Sequence, residues 1–381
     1  MNTEEFCGGD WPEWGREIGS ESGVGVMAGR PYRIGIVGAA SLAGKELSDA
    51  LAESPLAACD VVLLDAEEAA GQITTAGDEP SIIQKIDSES FVGIDFVFFA
   101  GDPESTRRYW KTARQEGASI VDLSYALEGE PGVVVRGPWG SLPAAARGEG
   151  LKNPRARDPD LTTPAVVSAH PAALALLLIG ERLRAKCPVR NLSATVFEPA
   201  SEHGHAAMDE LHQQTVSLLS FQGLPRQQYD AQVAFNLLPS LGDAAVVKLA
   251  VSRERIMDHY QTLKSGAAPE LALQLIQAPV FHGYTASVLV ELEEPATTGQ
   301  VEAALEGDHI DLVGAESDPP SNLSAAAQPD VLVRISSATE GDGPSGRFWL
   351  WLAADNLKLA ALNAIACANE LRCLRPQGTV Q

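Results

Sequence analysis

The chain is 381 residues long, which exceeds what a single hydrophobic core usually organises, so two domains are expected. Hydrophobic residues make up 45% and charged residues 21% of the sequence, which is typical of a globular protein and not of a fibrous or disordered one. Acidic residues outnumber basic residues by 51 to 28, and a formal net charge of −23 repels nucleic acid phosphates and anionic lipid surfaces. The sequence therefore predicts a protein that binds neither nucleic acid nor membranes.

The sequence contains no recognisable signal for export or membrane anchoring. Its N-terminal segment lacks the basic start and apolar run of a signal peptide, and no later stretch reaches about eighteen uninterrupted apolar residues. The cysteines are odd in number and form no C-x-x-C pair, as is usual for reduced thiols. They are Cys7, Cys59, Cys187, Cys367 and Cys373. We therefore expect a cytoplasmic protein.

The first part of the chain predicts a Rossmann-type domain. Residues 1–30 are rich in Gly, Glu and Ser without periodicity, and they are expected to form a disordered extension. Within 31–165, short apolar strands alternate with helices, a pattern that indicates a parallel sheet. The predicted strands are 33–37, 60–64, 96–99 and 119–122, and the predicted helices are 44–53 and 103–116.

The second part predicts an α+β domain over 166–354. A stretch rich in Gly, Pro, Ala and Arg at 136–163 is typical of a linker, so a domain boundary is expected near its end. The final segment, 355–372, has helical spacing of small and apolar residues, and we expect it to pack back against the first domain. The elements predicted between these segments are helices at 171–185 and 205–219 and strands at 191–198, 286–293 and 331–336.

Five ordered motifs carry a resemblance to the aspartate-semialdehyde dehydrogenase family over residues 33–372. They are VGAASLAG at 37–44, DELHQQT at 209–215, AFNLLP at 234–239, PVFHG at 279–283 and DNLKLAALN at 355–363. The resemblance implies a Rossmann domain joined to an α+β dimerisation domain, and a homodimer. It also implies that active members reduce an acyl phosphate to an aldehyde with NADPH, through a thioester on a cysteine assisted by a histidine base.

This sequence departs from the family pattern at the nucleophile and at the base. Ala173 stands where the family motif N-P-N-C-S has its cysteine, and an alanine cannot form an acyl-enzyme. Cys187 lies fourteen residues further on, about 21 Å along the predicted helix, and cannot substitute. Tyr284 replaces the histidine of the family's G-H-S, and a phenol of pKa about 10 is a poor base near neutral pH. His282, two residues earlier, is an alternative base.

The residues that bind the substrate in the family also differ in this sequence. Gln277 stands where an arginine would bind the substrate carboxylate, and a neutral amide cannot replace that charge-assisted pair. Glu198 replaces a glutamine, and Glu128 replaces a phosphate-binding arginine, so a carboxylate is expected to repel the acyl phosphate. The resemblance therefore implies a relative that lacks the catalytic cysteine and histidine.

The glycine-rich loop leaves dinucleotide binding open. Gly38 and Gly44 keep the outer glycines of G-x-x-G-x-x-G, while Ser41 occupies the middle position. Asp65 ends the second strand, where a carboxylate can bind a free ribose hydroxyl, and Glu68 replaces an arginine that holds the NADP 2′-phosphate. NADP is therefore disfavoured, and the alternatives are NAD binding or an empty crevice that serves only as scaffold.

Our main hypothesis is a non-catalytic dimeric relative that binds a small molecule or a protein partner, including a heterodimer with an active paralogue. The alternative is a working oxidoreductase of the family or a rebuilt site, and a purely structural subunit is a third reading. For a rebuilt site, His170, Glu198, His203 and Tyr284 are expected to converge on the cleft and to act as acid and base or to hold a metal. No metal site is assigned.

Overall fold

A computed structural model describes residues 32–57, 60–76, 79–140, 157–265, 268–339 and 343–374. The predicted disordered extension, 1–30, and most of the predicted linker, 136–163, lie outside the described residues. Within the described ranges, no helix is long and apolar enough to cross a membrane.

The first domain is built on a seven-stranded sheet in the order β5-β2-β1-β6-β7-β9-β8, and all its paired strands are parallel. Its strands are β1 Arg33–Val37, β2 Asp60–Asp65, β5 Gln84–Lys85, β6 Phe96–Phe99, β7 Ser119–Asp122, β8 Val134–Arg136 and β9 Val166–Ser168; β3 Ile73–Ala76 and β4 Glu79–Ile82 form a separate hairpin. The central strand β6 is buried at every residue, as expected for a parallel sheet covered on both faces. The predicted Rossmann-type sheet is confirmed.

Three helices cover this sheet: α1 Leu42–Ala52, α2 Pro103–Gln115 and the C-terminal helix α7 Asn356–Leu374. Helix α7 contributes Ala364, Ile365 and Ala368 to the same core as Leu47 of α1. The small side chains on α7 permit close packing of the two helices. The last helix of the chain therefore completes the hydrophobic core of the first domain.

The second domain contains a six-stranded mixed sheet in the order β11-β10-β12-β15-β14-β13. Its strands are β10 Val189–Glu198, β11 Glu270–Gln277, β12 Tyr284–Ala296, β13 Ile310–Leu312, β14 Val331–Ser337 and β15 Ser345–Ala354; its helices are α3 Pro171–Lys186, α4 Gly204–Leu219, α5 Leu249–Leu263 and α6 Thr298–Leu305. Alternate residues of β11 are buried, which is the period-two pattern of a sheet with one covered face. The predicted α+β second domain is confirmed.

Several elements differ from the sequence prediction. The first sheet continues to Ser168, beyond the domain boundary predicted at 165, because β9 pairs with both β7 and β8. The predicted linker begins inside β8, and Trp139 just after it is buried. The sequence analysis also missed α5, β11 and β15, although β10 and β12 pair with these two strands.

Candidate functional site

Three of the predicted site residues lie at the ends of adjacent strands in the second sheet. Glu198 is the last residue of β10, Gln277 is the last of β11, and the two are paired in the parallel ladder. Tyr284 begins β12, and the antiparallel ladder that pairs Phe197 with Thr285 leaves Tyr284 beside Glu198. Three adjacent strands therefore present these side chains in one row.

Ala173 lies in the first turn of α3 and is fully buried. The helix begins at Pro171, and His170 is its N-cap, with Nδ1 accepting a hydrogen bond from the Ala172 N–H at 3.3 Å. Pro at the first helical position is favourable because its missing N–H has no intrahelical role there. Cys187 is the C-cap at the other end of α3, so it does not reach Ala173.

His170 is part of a hydrogen-bonded network that links the start of α3, Glu202 and the start of α7. Its Nε2 lies 3.2 Å from Oε1 of Glu202, a residue of the short 3-10 helix Ala200–His203. The other carboxylate oxygen of Glu202 accepts from Asn356 Nδ2 at 3.2 Å. Burial raises the pKa of Glu202, but the opposing effects of His170, His203 and Asn356 outweigh it and lower the pKa from its usual 4.5 to about 2. Glu202 is therefore a largely buried carboxylate, 11% exposed, that is held in its ionised form.

His203 and Glu198 form a second buried pair. Nε2 of His203 lies 2.9 Å from Oε2 of Glu198, whose side chain is fully buried. Burial opposes the charged imidazolium, but the carboxylate of Glu198 prevails and raises the pKa of His203. Of the four residues proposed for a rebuilt site, Glu198 and His203 thus pair with each other, whereas His170 pairs with Glu202, which was not among them.

The amide of Gln277 is fixed by the backbone. Its Nε2 donates to the carbonyl oxygens of Glu198 at 3.0 Å and Ala278 at 3.2 Å. These two bonds determine the orientation of the amide, since the reverse orientation would bring Oε1 against two carbonyl oxygens. Gln277 Oε1 and Glu198 Oε1 are both buried and make no hydrogen bond with the part of the chain that the structure describes.

Tyr284 is buried against His170, with ring centroids 6.0 Å apart. Its hydroxyl forms no aligned hydrogen bond within the described residues, although it lies near enough to Glu202 for an electrostatic interaction. Burial first, and then the charges of Glu202 and Glu198, raise the pKa of Tyr284 well above 10. The phenol is consequently protonated near neutral pH and cannot act as a general base there.

Glu128 has a partner that the sequence analysis missed. Its Oε1 accepts from Arg255 Nε at 2.7 Å and lies 3.0 Å from His259 Nε2. Burial raises the pKa of Glu128, but His259 and Arg255 more than compensate, so the pKa is lowered. The Arg255 guanidinium also stacks 4.4 Å from the ring centroid of Tyr125. The expected repulsion of a phosphate by Glu128 is therefore reduced, because α5 supplies a cation directly beside it.

The glycine-rich loop leaves no room for a side chain at its outer glycines. Gly38 has φ +83°, and a Cβ on Gly44 would come within 2.2 Å of the Gly38 carbonyl oxygen. Ser41 caps α1 by accepting from the Gly44 N–H at 2.9 Å and donating to the Ala100 carbonyl at 2.8 Å. The glycines are thus needed for the fold itself, and their presence alone does not demonstrate a cofactor.

Asp65 lies against the same loop. One oxygen accepts from the Ala40 N–H and the other from the Ala66 N–H, both at 2.8 Å. A carboxylate has about four acceptor positions, so Asp65 keeps capacity for ribose hydroxyls. Lys85 is a cation near this edge that the sequence analysis did not identify, but its Nζ pairs with Glu67 at 2.8 Å. The loop, helix N-terminus and Asp65 fit a dinucleotide that lacks a 2′-phosphate.

In the described part of the chain, no group of three or more His, Cys, Asp or Glu side chains is arranged to hold a metal ion. His205, Asp209 and His212, which follow one another at helical spacing on α4, are all exposed. A solvated polar stripe accounts for their positions.

Comparison with known proteins agrees with this architecture. Residues 33–145 match the NAD-binding domain of semialdehyde dehydrogenases, and residues 181–359 match the semialdehyde dehydrogenase dimerisation domain. A USG-1 protein homolog from Pseudomonas aeruginosa is 30% identical over 340 residues, which cover 88% of this chain and 96% of that protein. The aspartate-semialdehyde dehydrogenase of Rickettsia bellii is 24% identical over 352 residues, covering 90% of this chain and 98% of that one.

A solved structure of a probable aspartate-semialdehyde dehydrogenase from Pseudomonas aeruginosa superposes with a TM-score of 0.76 at 28% identity, covering 90% of this chain and 99% of that chain. The fold and the site together define a two-domain α/β protein with a Rossmann-type sheet and a dimerisation-type second domain. The chain belongs to the semialdehyde dehydrogenase family.

Proposed function

We propose that this chain is a non-catalytic member of the semialdehyde dehydrogenase family that acts by binding a small molecule or a protein partner. The observation that carries the proposal is the row of side chains at the sheet edge. At the positions expected to carry the chemistry, the structure has a buried alanine, a protonated phenol and carboxylates already paired with histidines or an arginine. None of these groups is arranged as a nucleophile with its base.

The absence of a sulfur at the head of α3 is the strongest part of the argument. Ala173 is fully buried, and thioester chemistry requires an ionised thiol. Cys187 is buried at the opposite end of the helix, and burial raises the pKa of its thiol. Cys367 is fully buried on α7, where burial raises its pKa well above 9. Neither thiol is poised for attack.

A retained dinucleotide would have a binding role in this proposal. The amides of the loop after β1, the N-terminus of α1 and the carboxylate of Asp65 would hold it. When bound, a nicotinamide cofactor supplies hydride chemistry in active members of such families. In this chain, Asp65 would orient the ribose, and Ser41 would keep the loop in place through its bond to Ala100.

The second domain supplies a surface for a partner subunit. Its exposed apolar side chains include Phe221, which is 98% exposed and follows α4, and Phe235, which is 67% exposed. Large exposed apolar side chains of this kind favour association. We propose that this region forms the homodimer contact, and that an active paralogue sharing the dimerisation domain is a candidate heterodimer partner.

A turnover assay tests the proposed function. Purified protein is incubated with aspartate semialdehyde, phosphate and either NADP or NAD, and formation of the reduced cofactor is followed by absorbance. The expected rate equals that of a buffer blank, because no residue in the site can form the acyl-enzyme. A rate above the blank that scales with protein concentration would favour the alternative, a working oxidoreductase with a rebuilt site. A known active member of the family serves as the positive control.

A further inference from the structure

Glu202 is surrounded by polar side chains that belong to other elements of the fold. Its Oε1 lies 3.2 Å from Nε2 of His170 at the start of α3, and its Oε2 accepts from Nδ2 of Asn356 at the start of α7, also at 3.2 Å. The hydroxyl of Tyr284, at the start of β12, interacts with the same carboxylate. Since this phenol is protonated near neutral pH, it can only be the donor to a carboxylate. Three separate elements therefore direct donors at one anionic group.

Two of these donors are oriented by contacts that do not involve Glu202. Nδ1 of His170 accepts from a backbone N–H of α3 at 3.3 Å, so Nε2 carries a hydrogen. Oδ1 of Asn356 accepts from the Ser201 hydroxyl and from the Gly283 N–H, each at 3.1 Å, which leaves the amide NH2 to face Glu202. His170 and Asn356 are each only 1% exposed. Both donors would therefore keep their direction if the carboxylate were absent.

The short 3-10 helix that carries Glu202 is fixed on both sides of this residue. The N–H groups of Ala200 and Ser201 donate, each at 2.9 Å, to carbonyl oxygens of the loop between β11 and β12. On the other side, His203 is held by its pair with Glu198 at 2.9 Å. The fold of the chain itself therefore places the Glu202 carboxylate among the donors.

The surroundings of Glu202 favour an anion at this position. Burial opposes the charged form, but His170, His203 and Asn356 outweigh it and lower the pKa of Glu202 to about 2. A cavity that Tyr284 lines together with apolar side chains has a volume of about 20 Å³, which is room for about one water molecule. That cavity is too small for a second carboxylate beside Glu202.

We propose that His170, Asn356 and Tyr284 form a binding site for a small carboxylate. The chain fills this site with its own Glu202 side chain, an autoinhibitory contact that excludes carboxylate ligands from it. Glu202→Ala would remove Cγ and the carboxylate, a fragment with the size and charge of acetate, and would leave the donors in place. This inference rests on the proposed binding function and narrows it, because a ligand held through a small carboxylate does not bind here while Glu202 is present.

Chemical rescue of the full-length Glu202→Ala variant by sodium acetate tests the site. Sodium chloride at equal ionic strength controls for salt, and acetamide is a neutral compound of the same shape. We expect acetate to bind the variant in calorimetry and to raise its Tm until the site is saturated, whereas chloride and acetamide do neither. The unmodified chain and Glu254→Ala, at an exposed position of α5, measure the general effect of acetate on stability. Acetate binding by these two chains as tight as by Glu202→Ala would overturn the proposal.

A second substitution assigns the binding to the named donors. Tyr284→Phe, combined with Glu202→Ala, removes one hydroxyl and keeps the buried ring, and it is expected to weaken acetate binding by about tenfold to a hundredfold. Tyr260→Phe in the same background is the matched control, because Tyr260 is also buried but donates to the Pro269 carbonyl. Equal acetate affinities of the two double variants would overturn the assignment.

The folding of Glu202→Ala is followed by far-UV circular dichroism in chloride and in acetate. If the variant does not fold in chloride, acetate is expected to restore the spectrum of the unmodified chain, and a variant that stays unfolded in both salts would overturn the proposal. A folded variant that binds no acetate would overturn it as well, since the donors would then be met by water.

The outcome is separable from that of the proposed function. Turnover of aspartate semialdehyde by the unmodified chain would contradict the binding role whether or not Glu202→Ala binds acetate. A chain without turnover whose Glu202→Ala variant fails to bind acetate would keep the binding role and lose only the carboxylate site.

Discussion

Replacing Glu202 by glutamine removes the charge at the centre of the buried network while keeping the size of the side chain. Glu202 binds His170 at 3.2 Å through one oxygen and Asn356 at 3.2 Å through the other. In the variant, the glutamine amide has one carbonyl oxygen and one NH2 group. In either orientation, its NH2 hydrogens would therefore face the donor of His170 or that of Asn356. We therefore expect Glu202→Gln to destabilise the fold.

The size of the effect follows from the pKa. Glu202 has a pKa of about 2 in the folded protein against a usual 4.5, a difference that corresponds to about 3 kcal/mol of folding free energy. Because the folded-state pKa is depressed, this stabilisation is fully present well above pH 4.5 and is lost as the pH falls towards 2. About half of it is expected to be gone at pH 3.

Urea denaturation at a series of pH values between 7 and 3 measures this dependence. The difference in unfolding free energy between the unmodified chain and Glu202→Gln should be near 3 kcal/mol at pH 7 and should shrink steadily below pH 5. Glu254→Gln, at an exposed position of α5, is the matched control and should differ little from the unmodified chain at any pH. A difference that stayed constant from pH 7 to pH 3 would refute the assignment of the stabilisation to an ionised Glu202.

Three further outcomes are expected. Ala173→Cys alone should not restore dehydrogenase activity or form a detectable thioester by mass spectrometry, because groups that act as a catalytic unit are strongly non-additive; turnover by this variant would show that the remaining site is functional. Calorimetry should show any dinucleotide binding to favour NAD over NADP, because a 2′-phosphate would face Asp65 and Glu68. Like charges about 4 Å apart cost about 1 kcal/mol in water and about 4 kcal/mol near a protein surface, so the preference should be roughly fivefold to a thousandfold; equal affinities would contradict it. Phe221→Ser should weaken self-association in sedimentation experiments, whereas Ile73→Ser, on the hairpin of the first domain and 75% exposed, should not; a dimer unaffected by Phe221→Ser would exclude this surface.

The sequence was sufficient to predict the secondary-structure elements whose local signals, such as an apolar run, were strong. The strand 33–37 and the helix beginning at Pro171 were predicted at or near their observed bounds, because an apolar run and a proline at the first helical position are local signals. By contrast, β8 has only three residues, too few to show a period, and the linker-like composition after it hid the buried Trp139.

The candidate site was predicted only as a set of positions, since its contacts are long-range. Glu202 and Asn356 are 154 residues apart in the chain but share a hydrogen bond. Arg255 and Glu128 are separated by 127 residues, and the helix that carries Arg255 was not predicted at all. The alternation of β11, visible in its sequence, was the one local signal that could have located Gln277 at the end of a strand.

The packing of α7 has a consequence for the order in which the chain can fold. Asn363 of this helix donates to the Arg136 carbonyl and the Ser168 hydroxyl, and accepts from the Trp139 N–H at 3.3 Å. These bonds hold the last strands of the first sheet, yet the helix is synthesised after the entire second domain. The strands of the first domain leave the ribosome first, but the core on the face that α7 covers can be completed only after α7 has been synthesised.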